Sequence, residues 1–169
     1  MTILVTGGSG SGKSAFAEGL VPRLEAHGRI YLATMEATDG ESRRRVMRHR
    51  AQREGLGMRT LERARDMDGA EIPEGSLVLL EDLPNWLAGE MFGGGNPQGM
   101  PQALCRLAGR CRHLIVVTGD VFADGERYDG ETARCLQALA ALNRRAAALA
   151  DAVCEVVCGI PVPLKGKLP

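Results

Sequence analysis

The chain has 169 residues and a mass of 18.1 kDa, with 21 Lys and Arg against 21 Asp and Glu, so its formal net charge at pH 7 is zero. A chain of this length, 44% apolar and 25% charged, excludes disorder and suits one domain spanning residues 1–169. Its neutral balance lacks the positive field of nonspecific nucleic-acid binding, no apolar run approaches the roughly 18 residues of a membrane span, and no basic-then-apolar targeting segment opens it, so a cytoplasmic protein without a nucleic-acid partner is expected.

Met1–Thr6 (MTILVT) is a β-rich run that ends in glycines, and Lys13–His27 follows with apolar or small residues at helical spacing. Arg29–Thr34 (RIYLAT) predicts a second strand, and Glu41–Arg53 a basic helix. Ser76–Leu80 (SLVLL) is a third strand, followed by helices over Asn85–Phe92 and Gln102–Arg112. His113–Thr118 (HLIVVT) and Ala152–Val157 (AVCEVV) are further strands, separated by a long helix over Glu131–Ala150. Near-continuous apolar strands alternating with helices predict an α/β fold, a mostly parallel sheet covered on both faces. The segments Gly93–Pro101 and Gly119–Gly130 are expected to be irregular. Five cysteines, with no Cys-x-x-Cys and few histidine companions, predict buried, reduced thiols rather than a metal site.

The sharpest motif is Gly7-Gly8-Ser9-Gly10-Ser11-Gly12-Lys13-Ser14, which fits G-x-x-x-x-G-K-[ST] between a predicted strand and a predicted helix. Glycines let backbone N–H groups turn inward around phosphate oxygens, and the helix N-terminus adds unpaired donors. Lys13 is placed to reach the β- and γ-phosphates and Ser14 to ligate Mg²⁺. Glu81 and Asp82 follow the third strand, and the two-residue alternation lets only one of them face the phosphates.

On the basic helix Arg45, His49 and Arg53 recur at i, i+4 and i+8. That face reads either as a solvated basic surface or as an anion grip, and an RNA-binding patch is disfavoured by the absence of interleaved aromatics. Guanidinium groups around His49 disfavour its protonation, which leaves a neutral imidazole able to attack phosphorus. His27, at the end of the first predicted helix, and His113, at the start of a strand, read as structural.

With these blocks the chain resembles the bifunctional adenosylcobinamide kinase and adenosylcobinamide-phosphate guanylyltransferase family. The resemblance runs through ILVTGGSGSGKSAFAE, YLATMEATDGESRRRVMRHRAQR, LVLLEDLPNW and LNRRAAALADAVCEVVCGIPVPLK. It implies a RecA-like P-loop sheet, a homo-oligomer, and two reactions on a corrinoid substrate. These are phosphorylation of the adenosylcobinamide hydroxyl with ATP or GTP, and transfer of GMP from GTP onto the product through a GMP-histidine intermediate at His49. It further implies nucleotide binding by Gly7–Ser14, Thr34, Glu36, Arg45, Arg53 and Glu62, catalysis by His49 and Lys13, and a Mg²⁺ site at Ser14 and Glu81. The chain departs from the family pattern at Glu81, where aspartate is usual, at Thr118-Gly119-Asp120 in place of an Asn-Glu-Val-Gly stretch, and at Arg144 after Asn143. The same residues also suit a P-loop kinase of another small hydroxyl compound, or a nucleotide-binding regulatory module without turnover. A GTPase switch is excluded by the lack of an Asn-Lys-x-Asp guanine-reading motif.

Overall fold

A computed structural model of the chain describes residues 1–35, 54–120 and 128–169. Seven strands form one sheet: β1 (Thr2–Thr6), β2 (Arg29–Ala33), β3 (Arg59–Glu62), β4 (Leu77–Glu81), β5 (His113–Val117), β6 (Ala152–Val157) and β7 (Ile160–Lys165). Their order is β3-β2-β4-β5-β1-β6-β7, with every pair parallel except the hairpin β6–β7. Four α-helices are described: α1 (Lys13–Leu20), α2 (Leu83–Phe92), α3 (Met100–Arg110) and α4 (Gly130–Leu149).

Strand alternation sorts the apolar residues onto two faces. Leu4, Leu32, Leu80 and Val116 pack on one side against Trp86, Leu104 and Leu142 of α2, α3 and α4. Ile3, Val5, Leu79, Val117 and Val156 pack on the other side against Ala17 and Leu20 of α1 and Leu24 after it. Each buried Leu, Ile or Val contributes roughly 1.5–3 kcal/mol relative to exposure. The parallel arrangement carries the C-terminal ends of β1, β2, β4 and β5 to one rim, where ligands bind in open α/β sheets.

Both edge strands, β3 and β7, go beyond the five strands expected. β3 is short and half-exposed, so its residues do not form an apolar run. β7 contains Pro161 and Pro163, which remove ladder donors and are tolerated at an edge. The first helix ends at Leu20 and not at His27, because Pro22 begins a 3₁₀ turn over Val21–Arg23. The other described helices shift by one or two residues at their ends. His113 opens β5 as expected. The basic helix expected over Glu41–Arg53 lies outside the described residues. All five cysteines are free, but Cys154 alone is fully buried, and Cys158 is exposed in the β6–β7 turn, so uniform burial of the thiols does not hold.

Candidate active site

The glycine loop joins β1 to α1, as its spacing predicts. Gly12 takes the position before α1 in a left-handed conformation (φ +90°), and no side chain caps the first turn. The first amides of α1 are thus left for an anion, with the positive end of the helix dipole behind them. Lys13 folds back so that its Nζ donates to the Gly8 carbonyl at 3.1 Å, holding an ammonium over the loop. The loop tip, Gly8, Ser9 and Gly10, is exposed. Ser11 Oγ is buried and has no partner among the described residues.

Of the two acids after the third predicted strand, Glu81 is the one that faces the loop. Ser14 Oγ donates to Glu81 Oε1 at 2.5 Å, whereas Asp82 Oδ1 accepts from the Asn85 N–H at 2.9 Å and so caps α2. One strand, β5, separates β4 from β1, a gap of about 10 Å at the usual strand spacing. The longer glutamate arm suits that reach. Glu81 Oε2 is buried without a partner among the described residues. Burial pushes the Glu81 carboxyl up to about 7 against the opposing Ser14 hydrogen bond, with the nearby charges of Asp82 and Glu18 adding to the rise.

The rim around this pair is tied down by backbone-directed contacts. The Thr34 N–H donates to the Glu81 carbonyl at 3.1 Å, and Thr34 Oγ1 accepts from the Asp82 N–H at 2.7 Å. Its own proton faces the carbonyls of Glu81 (2.9 Å) and Asp82 (2.8 Å) and serves one of them. Thr34 is 1% exposed, so it holds the end of β4 in register rather than presenting a hydroxyl outward. At the end of β5, Thr118 Oγ1 donates to Asn143 Oδ1 at 2.7 Å, and Asn143 Nδ2 donates to the Gly119 carbonyl at 3.4 Å. These partners are 25 residues apart in sequence, so no local pattern could have paired them. The next residue, Asp120, donates its N–H to the Gly7 carbonyl at 3.3 Å.

Glu62 ends β3 and is exposed. β3 lies four strand positions from β1, roughly 19 Å away at the usual strand spacing, so Glu62 stands on the edge strand apart from the loop. Glu36, Arg45, His49 and Arg53 lie outside the described residues. The structure thus brings together Gly7–Ser14 and Glu81, with Thr34 behind Glu81.

This arrangement of hard oxygen ligands, uncapped amides and an ammonium is chemically suited to a metal-bound polyphosphate. Solved structures with the same fold include the flagellar accessory protein FlaH from Methanocaldococcus jannaschii, at TM-score 0.55 and 12% identity, covering 98% of this chain and 78% of that one. An ATPase from the type III secretion system of pathogenic bacteria is similar at TM-score 0.53 and 12% identity, covering 96% of this chain and 56% of that one. Relatives similar across their whole length include the bifunctional adenosylcobalamin biosynthesis protein CobP of Pseudomonas aeruginosa, 32% identical and covering 99% of each chain. The bifunctional adenosylcobalamin biosynthesis protein CobU of Escherichia coli is also 32% identical, covering 98% of this chain and 100% of its own. Residues 3–164 match the family described as cobinamide kinase / cobinamide phosphate guanyltransferase, and the chain belongs to that family.

Proposed function

We propose that residues 1–169 form one catalytic domain that phosphorylates adenosylcobinamide and then converts the phosphate to adenosyl-GDP-cobinamide. The observation that carries the nucleotide half is the contact of Ser14 with Glu81 beside an uncapped, glycine-lined helix start. Family membership over residues 3–164 supports the corrinoid half.

In the first reaction the substrate hydroxyl oxygen forms a bond to the γ-phosphorus of ATP or GTP. The bond from that phosphorus to the β-bridging oxygen breaks, the nucleoside diphosphate leaves, and the hydroxyl proton is released. The loop amides and Lys13 hold the triphosphate in line and stabilise charge on its oxygens. In the second reaction a neutral His49 nitrogen attacks the α-phosphorus of GTP and expels pyrophosphate. An oxygen of the cobinamide phosphate then attacks the same phosphorus, breaks the N–P bond and frees the imidazole. Splitting one displacement into two lets pyrophosphate depart before the acceptor attacks. Arg45 and Arg53, at helical spacing around His49, are suited to grip the nucleotide phosphates.

The residues present fit a Mg²⁺ ion, since the unpartnered Glu81 Oε2 and the adjacent Ser14 Oγ are hard oxygen donors facing the loop. Ser14 and Glu81 would hold it, directly or through water, and it would neutralise charge on the phosphate oxygens.

Incubation with α-labelled GTP and Mg²⁺ tests the transferase half. The expected outcome is an acid-labile, alkali-stable label on the protein that His49→Ala abolishes, while transfer of γ-label to cobinamide survives. Phosphorylation without any protein label would instead favour a kinase alone. Nucleotide binding without turnover on any corrinoid would favour a regulatory module.

A homo-oligomer is supported by the β7 edge, where Ile160, Val162 and Leu164 alternate and are 66%, 41% and 59% exposed. Light scattering at micromolar concentration tests it, and a monomer would refute it. We place the protein in the cytoplasm. No described helix is long and apolar enough to cross a membrane, and fractionation of cells is the test.

A further inference from the structure

The C-terminal hairpin reaches the phosphate loop, and nothing in the reactions above uses it. We propose that the β6–β7 turn is a positioning element for the triphosphate: the Gly159 N–H holds the Ser11 carbonyl and thereby aims the Gly12 N–H at the phosphates. The proposal rests on the reading of Gly7–Ser14 as a phosphate cradle.

The Gly159 N–H donates to the Ser11 carbonyl at 2.8 Å. A trans peptide unit points its C=O and N–H in opposite directions. Tying the Ser11 carbonyl to the turn therefore directs the Gly12 N–H, the other half of that peptide, away from the turn and into the loop. The Asp120 N–H does the same on the other flank, holding the Gly7 carbonyl at 3.3 Å and so directing the Gly8 N–H inward. Two neighbouring connections thus keep loop carbonyls facing out, where they would otherwise repel an anion.

Contact between loop and hairpin is close enough to depend on glycine. A Cβ on Gly12 would lie 3.3 Å from Gly159 Cα, and one on Gly7 would lie 2.6 Å from the Val156 carbonyl oxygen. The turn itself is a two-residue link with left-handed conformations at Cys158 (φ +51°) and Gly159 (φ +81°), closed by the Val157–Ile160 pair. Its far end is anchored as well, because Lys165 Nζ donates to the carbonyls of Ala147, Ala148 and Ala150 at the end of α4. Core burial holds β6 but does not explain the position of the turn. Residues 157–160 are exposed, and Ile160, the first residue of β7, is 66% exposed.

Replacing the Gly159 N–H with an ester oxygen isolates the bond. Cys158 provides the ligation point for joining residues 1–157 to a synthetic 158–169 peptide carrying glycolic acid at position 159. The ligated all-amide protein is the reference. Affinities for inorganic tripolyphosphate and for Mg²⁺ with non-hydrolysable GTP are expected to fall about fivefold to tenfold, with little change in the melting temperature of the ligand-free protein. Two genetic variants provide an independent arm. Gly159→Asn keeps the N–H and tolerates left-handed backbone, so it should stay within about twofold of wild type. Gly159→Val resists that conformation and should lose about fivefold or more. Unchanged tripolyphosphate affinity in the ester protein and in Gly159→Val would overturn the proposal alone. Failure of the all-amide protein to bind either phosphate probe would overturn the phosphate-cradle reading together with it.

Discussion

Two glutamates, Glu81 just before α2 and Glu90 within it, are both drawn into the protein but are treated in opposite ways. Glu90 is 5% exposed and fully engaged: Oε1 accepts from the Asp66 N–H (2.8 Å) and Trp86 Nε1–H (3.0 Å), and Oε2 accepts from the Asn96 N–H (2.7 Å). Glu81 accepts from Ser14 on Oε1, while Oε2 has no partner among the described residues. A buried polar atom left without a partner costs about 1–3 kcal/mol. The contrast teaches that Glu90 ties loops to α2, whereas Glu81 is built to meet something that arrives later.

The comparison can be broken at either carboxylate. Glu90→Leu strands three N–H donors, the buried one of Trp86 and the partly buried ones of Asp66 and Asn96, and should cost ~2–3 kcal/mol in urea unfolding, while turnover of the folded fraction holds. A small stability change there would refute the structural role. Glu81→Gln should do the reverse, lowering phosphorylation about a hundredfold, equivalent to ~2.7 kcal/mol, with the unfolding midpoint kept or raised. Steady-state rates beside a melting curve check it.

A pH series sharpens the contrast further. The Glu81 carboxyl is raised from 4.5 to about 7, so between those values the ligand-free fold binds more protons than the unfolded chain and loses stability as pH rises. Affinity for Mg²⁺ and GTP should move the other way, rising up to about tenfold per pH unit below 7 and levelling above it, because a cation needs the ionised carboxylate. Glu81→Gln should flatten both curves, measured by calorimetric titration and thermal melts.

The smallest effect is expected at His113, at the opposite end of the sheet. Its Nε2 bonds the Glu25 carbonyl at 3.1 Å, and its Nδ1 is buried without a partner among the described residues. Burial, then the N-terminal ammonium, hold the imidazole below its ordinary 6.5, with Arg112 adding to the effect. The unfolded chain therefore binds this proton first, and stability should decline slightly as pH falls below 6.5. His113→Gln should remove that component from the melting profile.

Several elements were legible in the linear chain for simple reasons. Leu77–Glu81 and His113–Val117 are apolar because both of their faces are covered, and continuous apolar runs announce strands of that kind. The phosphate loop was legible because its requirements are local: glycine conformations, a lysine and a hydroxyl within one turn. β3 and β7 were illegible because edge strands need little apolar patterning, and in β7 two prolines read as the end of regular structure. The position of Thr34 is a further instance. Its neighbourhood could be marked from the chain, but its hydroxyl is taken up by the backbone of Glu81 and Asp82, 47 and 48 residues away.

By itself the sequence determined the alternating strand and helix, the phosphate-binding loop and the choice of chemistry near it, since all of these depend on residues close together along the chain. Only the tertiary structure decided that Glu81 rather than Asp82 meets Ser14, that Asn143 braces the end of β5, and that Gly159 touches Ser11. Those choices follow from strand order, which places distant segments side by side at one rim of the sheet, and strand order is set by how the two apolar faces are jointly covered rather than by any local pattern.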